Sequence, residues 1–346
     1  MRKNASKIII YAFTALLLLL APLSLFGTLT KDTVLKIAFV DSGIGGLLFA
    51  YDAYQESVHD LEALESAYKL DIQFVHIGDS LNAPYGLKEV SDIRRLTKGL
   101  IEMSYDDLNA QQTIVACNTA SSVMDGFFQQ ELAARYPDKS LRSILYESAK
   151  ALYQSAELVN GEIHIAVFST VATEKSDRYP QLLKSIHAAE NPEASLHIYT
   201  YAPKYWVNEI EANGKSAALK AMLQQDLQDF SSRYDDISSI SALGLFCTHF
   251  ALLEADIAAY FFEQYQQQPA LVSQGALFAE GIRRYVQLSI QNRNIKKRVF
   301  KKAARLDISS YITGDNAELM YDTMLKVDPT LDSKLFVNSV SAASRY

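Results

Sequence analysis

The sequence predicts an α/β protein built from two similar lobes of mainly parallel sheet flanked by helices, with the active site in the cleft they share. Three observations carry that prediction. From Lys36 onward, short apolar runs alternate with long amphipathic stretches. Each run ends in small or polar residues. The two halves also rhyme in spacing, with 76 residues from Asp41 to Cys117 and 78 from Ser169 to Cys247. Parallel neighbours need long crossover connections, so alternating strand and helix signals point to parallel sheets covered by helices.

The strands expected, in order, are Ile37–Val40, Phe74–Ile77, Thr113–Ala116, Ile163–Phe168 and Leu243–Phe246. Between them, Val90–Met103 and Ser216–Phe230 carry apolar residues three and four apart, the period of a helix with one buried face. No low-complexity linker divides the chain, and Pro137-Asp138-Lys139-Ser140 marks the expected boundary. The expected first lobe spans 35–140 together with 268–330, the second spans 141–267, and 331–346 form a tail. Ligands of such sheets bind beyond the carboxyl ends of the strands. The residues to watch are therefore Asp41-Ser42-Gly43-Ile44-Gly45-Gly46, Gly78-Asp79-Ser80, Cys117-Asn118-Thr119-Ala120, Ser169-Thr170 and Cys247-Thr248-His249. Both cysteines of the chain lie in this set.

The first 30 residues are a separate object. Arg2, Lys3 and Lys7 precede an uncharged stretch of 20 residues, Ile8 to Gly27. As a helix it reaches about 30 Å, the depth of a bilayer's hydrocarbon core. A basic flank before an apolar run is the layout of a signal peptide or signal-anchor. Gly27 suits a cleavage site and Leu25 does not, so both forms stay open. The expectation is an exported protein, periplasmic in a cell with two membranes, in contact with the membrane through residues 8–27; a cytoplasmic location is the alternative. Loss of the three leading cations takes the net charge from −7 to −10.

Composition narrows the function classes. With 49% hydrophobic and 21% charged residues in 346, the chain is neither disordered nor fibrous. Its negative charge argues against nucleic acid as a partner. Two cysteines exclude a disulfide scaffold and a four-thiolate zinc site. His59, His76, His164, His187 and His197 show no metal-ligand spacing, so no metal is expected. From Arg283 to Arg305 nine Lys/Arg and no Asp/Glu occur, read either as a solvated helix face or as a contact for anionic lipid.

The cysteines carry the chemistry. A cysteine that ends a buried strand and opens a helix lies near backbone N–H groups and the positive end of the dipole, which favours thiolate. Taken singly, each is equally a small buried hydrophobe. Two such thiols facing across a cleft suit proton transfer at carbon, in which one removes a proton and the other returns a proton to the opposite face, inverting a stereocentre. His249 and Asp41 stand beside them as assisting groups. The turn Gly43-Ile44-Gly45-Gly46 offers N–H groups to a carboxylate or phosphate. Ser42, Asn118, Thr119 and Thr248 can bind an amino acid's ammonium and carboxylate, and are equally ordinary caps and turns.

These residues together resemble glutamate racemases of the cofactor-independent aspartate/glutamate racemase superfamily. The matching segments are Ile37 through Gly46, Gly78-Asp79-Ser80 with Ala83-Pro84-Tyr85-Gly86, Ala116-Cys117-Asn118-Thr119-Ala120-Ser121, and Cys247-Thr248-His249-Phe250 with Leu252-Leu253. Tyr311-Ile312-Thr313-Gly314-Asp315 matches more weakly. The resemblance runs from about residue 35 to about residue 330, in the family's order. It implies that Cys117 and Cys247 are acid/base thiols assisted by Asp41 and His249. It further implies that Ser42, Tyr85, Gly86, Asn118, Thr119 and Thr248 contact glutamate, with Pro84 beside them. A family glutamate has two candidates here, Glu209 and Glu211. No cofactor is implied; glutamate is the expected small-molecule substrate, and a homodimer is a candidate assembly. Phe246 and Ala251 depart from the family's Gly and Pro, which leaves aspartate or another amino acid as alternatives. The competing class is an exported binding protein, which needs the cleft but not two thiols. The family makes D-glutamate for peptidoglycan precursors in the cytoplasm, so export would imply another use of the product.

Overall fold

From Ile37 onward the first strand is buried on both faces, as a central strand covered by helices requires. The computed structural model describes residues 32–272, 274–298, 300–302, 307–313, 322 and 335–340, with 307 and 335–340 as backbone. The expected membrane helix 8–27, Gly314-Asp315, and Arg305 of the basic stretch lie outside the described residues. Among those described, no helix is long and apolar enough to cross a membrane.

Eleven strands are described: β1 (Thr33–Asp41), β2 (Leu70–Gly78), β3 (Gln112–Val115), β4 (Ser140–Ser143), β5 (Leu158–Val159), β6 (Glu162–Ser169), β7 (Ser195–Tyr201), β8 (Ala242–Phe246), β9 (Ala270–Val272), β10 (Asp307–Thr313) and β11 (Leu335–Val340). They form two sheets. The first runs β11-β10-β2-β1-β3-β4, and the second β5-β6-β8-β9 with β7 on the free side of β6. The pairings β1–β3, β2–β10, β3–β4, β10–β11, β6–β7, β6–β8 and β8–β9 are parallel. β5–β6 is antiparallel. Both sheets belong to one compact unit that begins at Val34.

The helices are α1 (Gly45–Ala67), α2 (Val90–Asp106), α3 (Asn118–Ser122), α4 (Gly126–Arg135), α5 (Leu145–Ser155), α6 (Val171–Lys175), α7 (Arg178–Glu190), α8 (Trp206–Asn213), α9 (Ala217–Ser232), α10 (Glu254–Tyr265) and α11 (Gln274–Asn292). Alternation along β1 divides the first core. Ile37 and Phe39 pack with Leu47, Tyr54 and Phe278 of α1 and α11, while Ala38 and Val40 pack with Ile93, Leu96 and Phe128 of α2 and α4. β6 does the same for the second sheet. Ala166 and Phe168 face Trp206, Leu223 and Phe230, and Val167 faces Leu152, Tyr179 and Leu183. The expected helix from Ser216 starts one residue later, because Ser216 Oγ accepts the Leu219 N–H at 3.0 Å as its cap.

All five expected strands are present, with ends shifted by a few residues. The six others, β4, β5, β7 and β9 to β11, include runs of two to four residues and the polar Ser195–Tyr201, whose patterns carry little apolar signal. Within the stretch expected as a tail, residues 335–340 form the edge strand β11.

Phe39 is fully buried between Phe49 and Phe74, with ring centroids 6.0 and 5.2 Å away. Phe39→Ala is expected to cost about 3–5 kcal/mol, seen as a lower urea midpoint with unchanged slope.

Candidate active site

The two sheets meet through Asp41, the last residue of β1. Its carboxylate is fully buried; Oδ1 accepts the Gly43 N–H at 2.9 Å and Oδ2 accepts the Thr248 hydroxyl at 3.1 Å. Thr248 follows β8, so one carboxylate ties the carboxyl end of the first sheet's central strand to that of the second sheet. The glycines between them permit the approach. A Cβ on Gly45 would lie 2.3 Å from Thr248 Oγ1 and 2.7 Å from His249 Nδ1. One on Gly43 would fall on Glu211, 1.9 Å from Oε1.

The turn's N–H groups do meet carboxylates, but those are the protein's own: Gly43 N–H binds Asp41, and Ile44 N–H binds Glu211 Oε1 at 2.9 Å. Glu211 Oε1 also lies 2.5 Å from His249 Nε2, whose Nδ1 is 3.7 Å from Cys247 Sγ. A relay thus runs from Cys247 through His249 and Glu211 to the turn after β1. Of the two candidate glutamates, Glu211 is the one the structure brings to the site. Glu209 instead accepts from Ser216 Oγ at 2.6 Å and Asn213 Nδ2 at 3.0 Å, bridging the α8–α9 turn.

Cys117 follows β3 and caps α3. Its thiol points at Ser42 Oγ, 3.5 Å away, and its sulfur accepts the Ala120 N–H at 3.5 Å. Both cysteines are free and buried. The expected thiolate character is reversed at Cys117. Burial pushes this thiol up to about 12, and the Asp41 charge adds to it, while Ser42 and the Ala120 N–H only partly compensate. A helix of five residues has little dipole to offer against that desolvation.

Burial also raises Asp41 to about 6, against the pull of His249 and of its hydrogen bonds to Gly43 and Thr248. At His249 burial acts against the imidazolium, but the bonds to Cys247 and Glu211 outweigh it and hold the group well above the ordinary histidine range. The Cys247 side of the site therefore holds a cation between a sulfur and a carboxylate, and the Cys117 side holds a neutral thiol.

The remaining expected residues fall around this centre. Asn118 Oδ1 accepts the Tyr179 hydroxyl, and its Nδ2 donates to Gln274 Oε1 at 2.7 Å. Thr119 Oγ1 lies 2.8 Å from Thr170 Oγ1 and 3.3 Å from Thr173 Oγ1. The Tyr85 hydroxyl donates to Asp79 Oδ2 at 2.7 Å, and a Cβ on Gly86 would sit 2.8 Å from Thr170 Cβ. Pro84 is half-buried and precedes the 3-10 turn Tyr85–Leu87. Phe246 points away from Cys247 and stacks on Tyr179, with centroids 4.0 Å apart, so it bears on Asn118 through that ring.

Tyr179 and Gln274 carry no signal that the sequence makes visible. Gln274 does stand just past a strand end, but β9 is only three residues long, and an apolar run as short as Ala270–Val272 does not mark a strand. Tyr179 lies inside α7 and has no local signal at all.

No protein-family model matches this sequence. The chain is similar to curated glutamate racemases: it is 28% identical to that of Streptococcus sanguinis over 217 residues, covering 63% of this chain and 70% of that protein. Against the Aquifex aeolicus enzyme the identity is 28% over 224 residues, covering 64% and 74%. The fold matches that of a glutamate racemase isoform from Bacillus anthracis with a TM-score of 0.63 at 20% identity, covering 90% of this chain and 98% of that one. The glutamate racemase of Francisella tularensis, solved with D-glutamate, matches with a TM-score of 0.62 at 19% identity over 90% and 98%. In sequence and in fold, the chain resembles glutamate racemases of the aspartate/glutamate racemase superfamily.

A raised Asp41 means that the folded state holds an extra proton between the ordinary 3.8 and about 6. Its contribution to stability is complete below that window and is lost as pH rises through about 6. Asp41→Asn should remove this dependence, on the order of 3 kcal/mol. Urea unfolding of both proteins at several pH values checks it: the difference between them should change across this window and level off above it.

Proposed function

We propose that this protein interconverts L- and D-glutamate without a cofactor, by two-base proton transfer between Cys117 and Cys247. The observation that carries the reading is the pairing of two buried, free thiols. One follows a strand of each sheet, and each has its own polar partner. They are near enough that charge on Cys247 bears on Cys117.

In this reading the two sheets are the cores of two lobes, and glutamate binds between them. The cavity that touches Cys247 measures only about 20 Å³. Small-molecule pockets are typically some 300–1,000 Å³, so the walls must part to admit substrate. Asn118 and Thr119, together with Thr248 and Ser42, supply the hydrogen bonds that orient the ammonium and carboxylate groups.

The chemistry then needs one sulfur as base and the other as acid. With His249 protonated between Cys247 and Glu211, the Cys247 sulfur is the one equipped to take the α-proton. The C–H bond breaks, its electron pair passes to the carbon and the adjacent carboxylate, and the proton ends on sulfur. Cys117, neutral by burial, delivers its own proton to the opposite face. The reverse direction exchanges these roles, with the Asp41 charge, which bears directly on Cys117, governing how readily that thiol gives up its proton. Nothing is oxidised or reduced.

The activity is assigned to the far side of the cytoplasmic membrane, because residues 1–30 read as a signal or anchor and the family's wall-precursor role does not need export. Membrane contact through residues 8–27 and a homodimer belong to the same proposal. A reporter fused after residue 346 should be active outside the cytoplasm; activity confined to the cytoplasm would reject this placement.

In deuterium oxide, early D-glutamate made from L-glutamate should carry deuterium while unreacted L-glutamate stays protiated; a single shared base would treat both pools alike. Cys117→Ser or Cys247→Ser should each slow racemisation by roughly 10²–10⁴-fold or more. Changing both should cost little beyond the worse single change, because the two act as a unit. A chiral assay against glutamate and aspartate reads all of this, and full activity in either single variant would refute the mechanism.

A further inference from the structure

Glu162 and His164 project from the same face of β6, since side chains two apart on a strand share a face. β7 runs parallel beside it, and His197 is the direct register partner of His164. Their imidazole rings stack with centroids 4.4 Å apart and planes within 8°. One donor atom from each of Glu162, His164 and His197 lies within 4.8 Å of the other two. This cluster sits toward the amino ends of β6 and β7, roughly 16 Å along the strand from Ser169 at the active-site end.

Tyr199 decides which nitrogen His164 offers. The Tyr199 hydroxyl has one proton and lies 2.5 Å from Asp236 Oδ2. A carboxylate only accepts, so the proton points there, and the 2.6 Å contact with His164 is an Nδ1–H donation to the tyrosine oxygen. The Nε2 lone pair then faces Glu162 Oε2 at 3.3 Å. Two acceptors opposed in this way repel unless a cation lies between them. His197 Nε2 has no hydrogen-bond partner among the described residues and lies 3.8 Å from Glu162 Oε1.

We propose that Glu162, His164 and His197 bind a divalent transition-metal ion of the zinc class. Two imidazole nitrogens and a carboxylate are a donor set suited to such an ion, with a fourth position left for water or a small ligand. The separations of 3.3 and 3.8 Å compare with roughly 3.3 Å between neighbouring ligands of a tetrahedral ion with bonds of about 2.0–2.1 Å. Stacked rings aim their lone pairs side by side, so His197 must swing to converge. Its side chain is 40% exposed, which leaves it room to do so. Glu162 and His164 also line a polar cavity of about 380 Å³ with Asn160, Ser238 and Ser241, from which the fourth ligand can come. The Asp236–Tyr199–His164 chain orients the buried ligand as outer partners do in metal sites. The ion would pin β7, bonded only to β6 among the described strands, to the body of its sheet. The 32 residues between the two histidines hide this set from the sequence; cross-strand register reveals it.

The test is titration of the whole chain with Zn²⁺, followed by calorimetry, and with Co²⁺, followed by absorbance. The Cys117→Ser/Cys247→Ser variant, which removes competing thiols, should still bind a single equivalent, giving tetrahedral Co²⁺ bands without a sulfur charge-transfer band. His197→Asn should abolish binding while leaving circular dichroism and racemisation unchanged, and Tyr199→Phe should weaken it roughly 10–100-fold. Binding that survives His197→Asn, binding lost with the cysteines, or none in the unmodified chain would each overturn the proposal.

Discussion

Everything at the active site depends on how closely the turn after β1 approaches the segment after β8. The Asp41 carboxylate and the Thr248 hydroxyl define that contact, and Gly43 and Gly45 make it sterically possible. A side chain at Gly45 would overlap Thr248 and His249 and push the two surfaces apart, and one at Gly43 would displace the Glu211 carboxylate from the turn. The requirement is one of space rather than unusual backbone angles, since neither glycine has a positive φ. The Gly-rich turn is therefore a packing device between two sheets, and its Gly43 and Ile44 N–H groups are engaged by the protein's own acids.

Burial sets the electrostatics of this contact. Asp41, Cys117 and His249 are all buried, and desolvation is the largest influence on each. The outcomes differ because the partners differ. Cys117 has only a serine hydroxyl and one N–H to oppose desolvation, and it stays a neutral acid. His249 has a carboxylate on one side and a sulfur on the other, and it keeps its proton. An asymmetric pair of thiols, one neutral and one beside a cation, suits the two-base proton transfer proposed for this site. It also makes the site sensitive to small changes in the shell, since the same low dielectric strengthens every charge–dipole contact within it.

That shell reaches further than the motifs do. Asn118 is held by Tyr179 and Gln274, and Gln274 Nε2 continues to Ser148 Oγ at 2.7 Å. Residues from α3, α5, α7 and the start of α11 thus share one hydrogen-bonded network beneath Cys117. Phe246 stacks on the Tyr179 ring of this network and not on the thiol. It bears on Asn118 through that ring, because Asn118 Oδ1 accepts the Tyr179 hydroxyl.

The sequence by itself determined the fold class, the strands that bear chemistry and nearly all of the residues that meet at the site. Those features are local: an apolar run reports a buried strand, and the residue after it reports a strand end, whatever the rest of the chain does. Asp41, Cys117, Cys247 and His249 were legible for that reason. Only the tertiary structure decided between Glu209 and Glu211, because both lie on α8 and the choice depends on which side of that helix faces the β1 turn. It likewise decided that Cys117 is a poor thiolate, since a helix cap is visible in sequence but complete desolvation is not. Tyr179, Gln274 and the Glu162–His164–His197 cluster belong to the same class. Their partners lie tens of residues away in the chain, and no spacing rule encodes a neighbour supplied by strand register or by the packing of one helix against another.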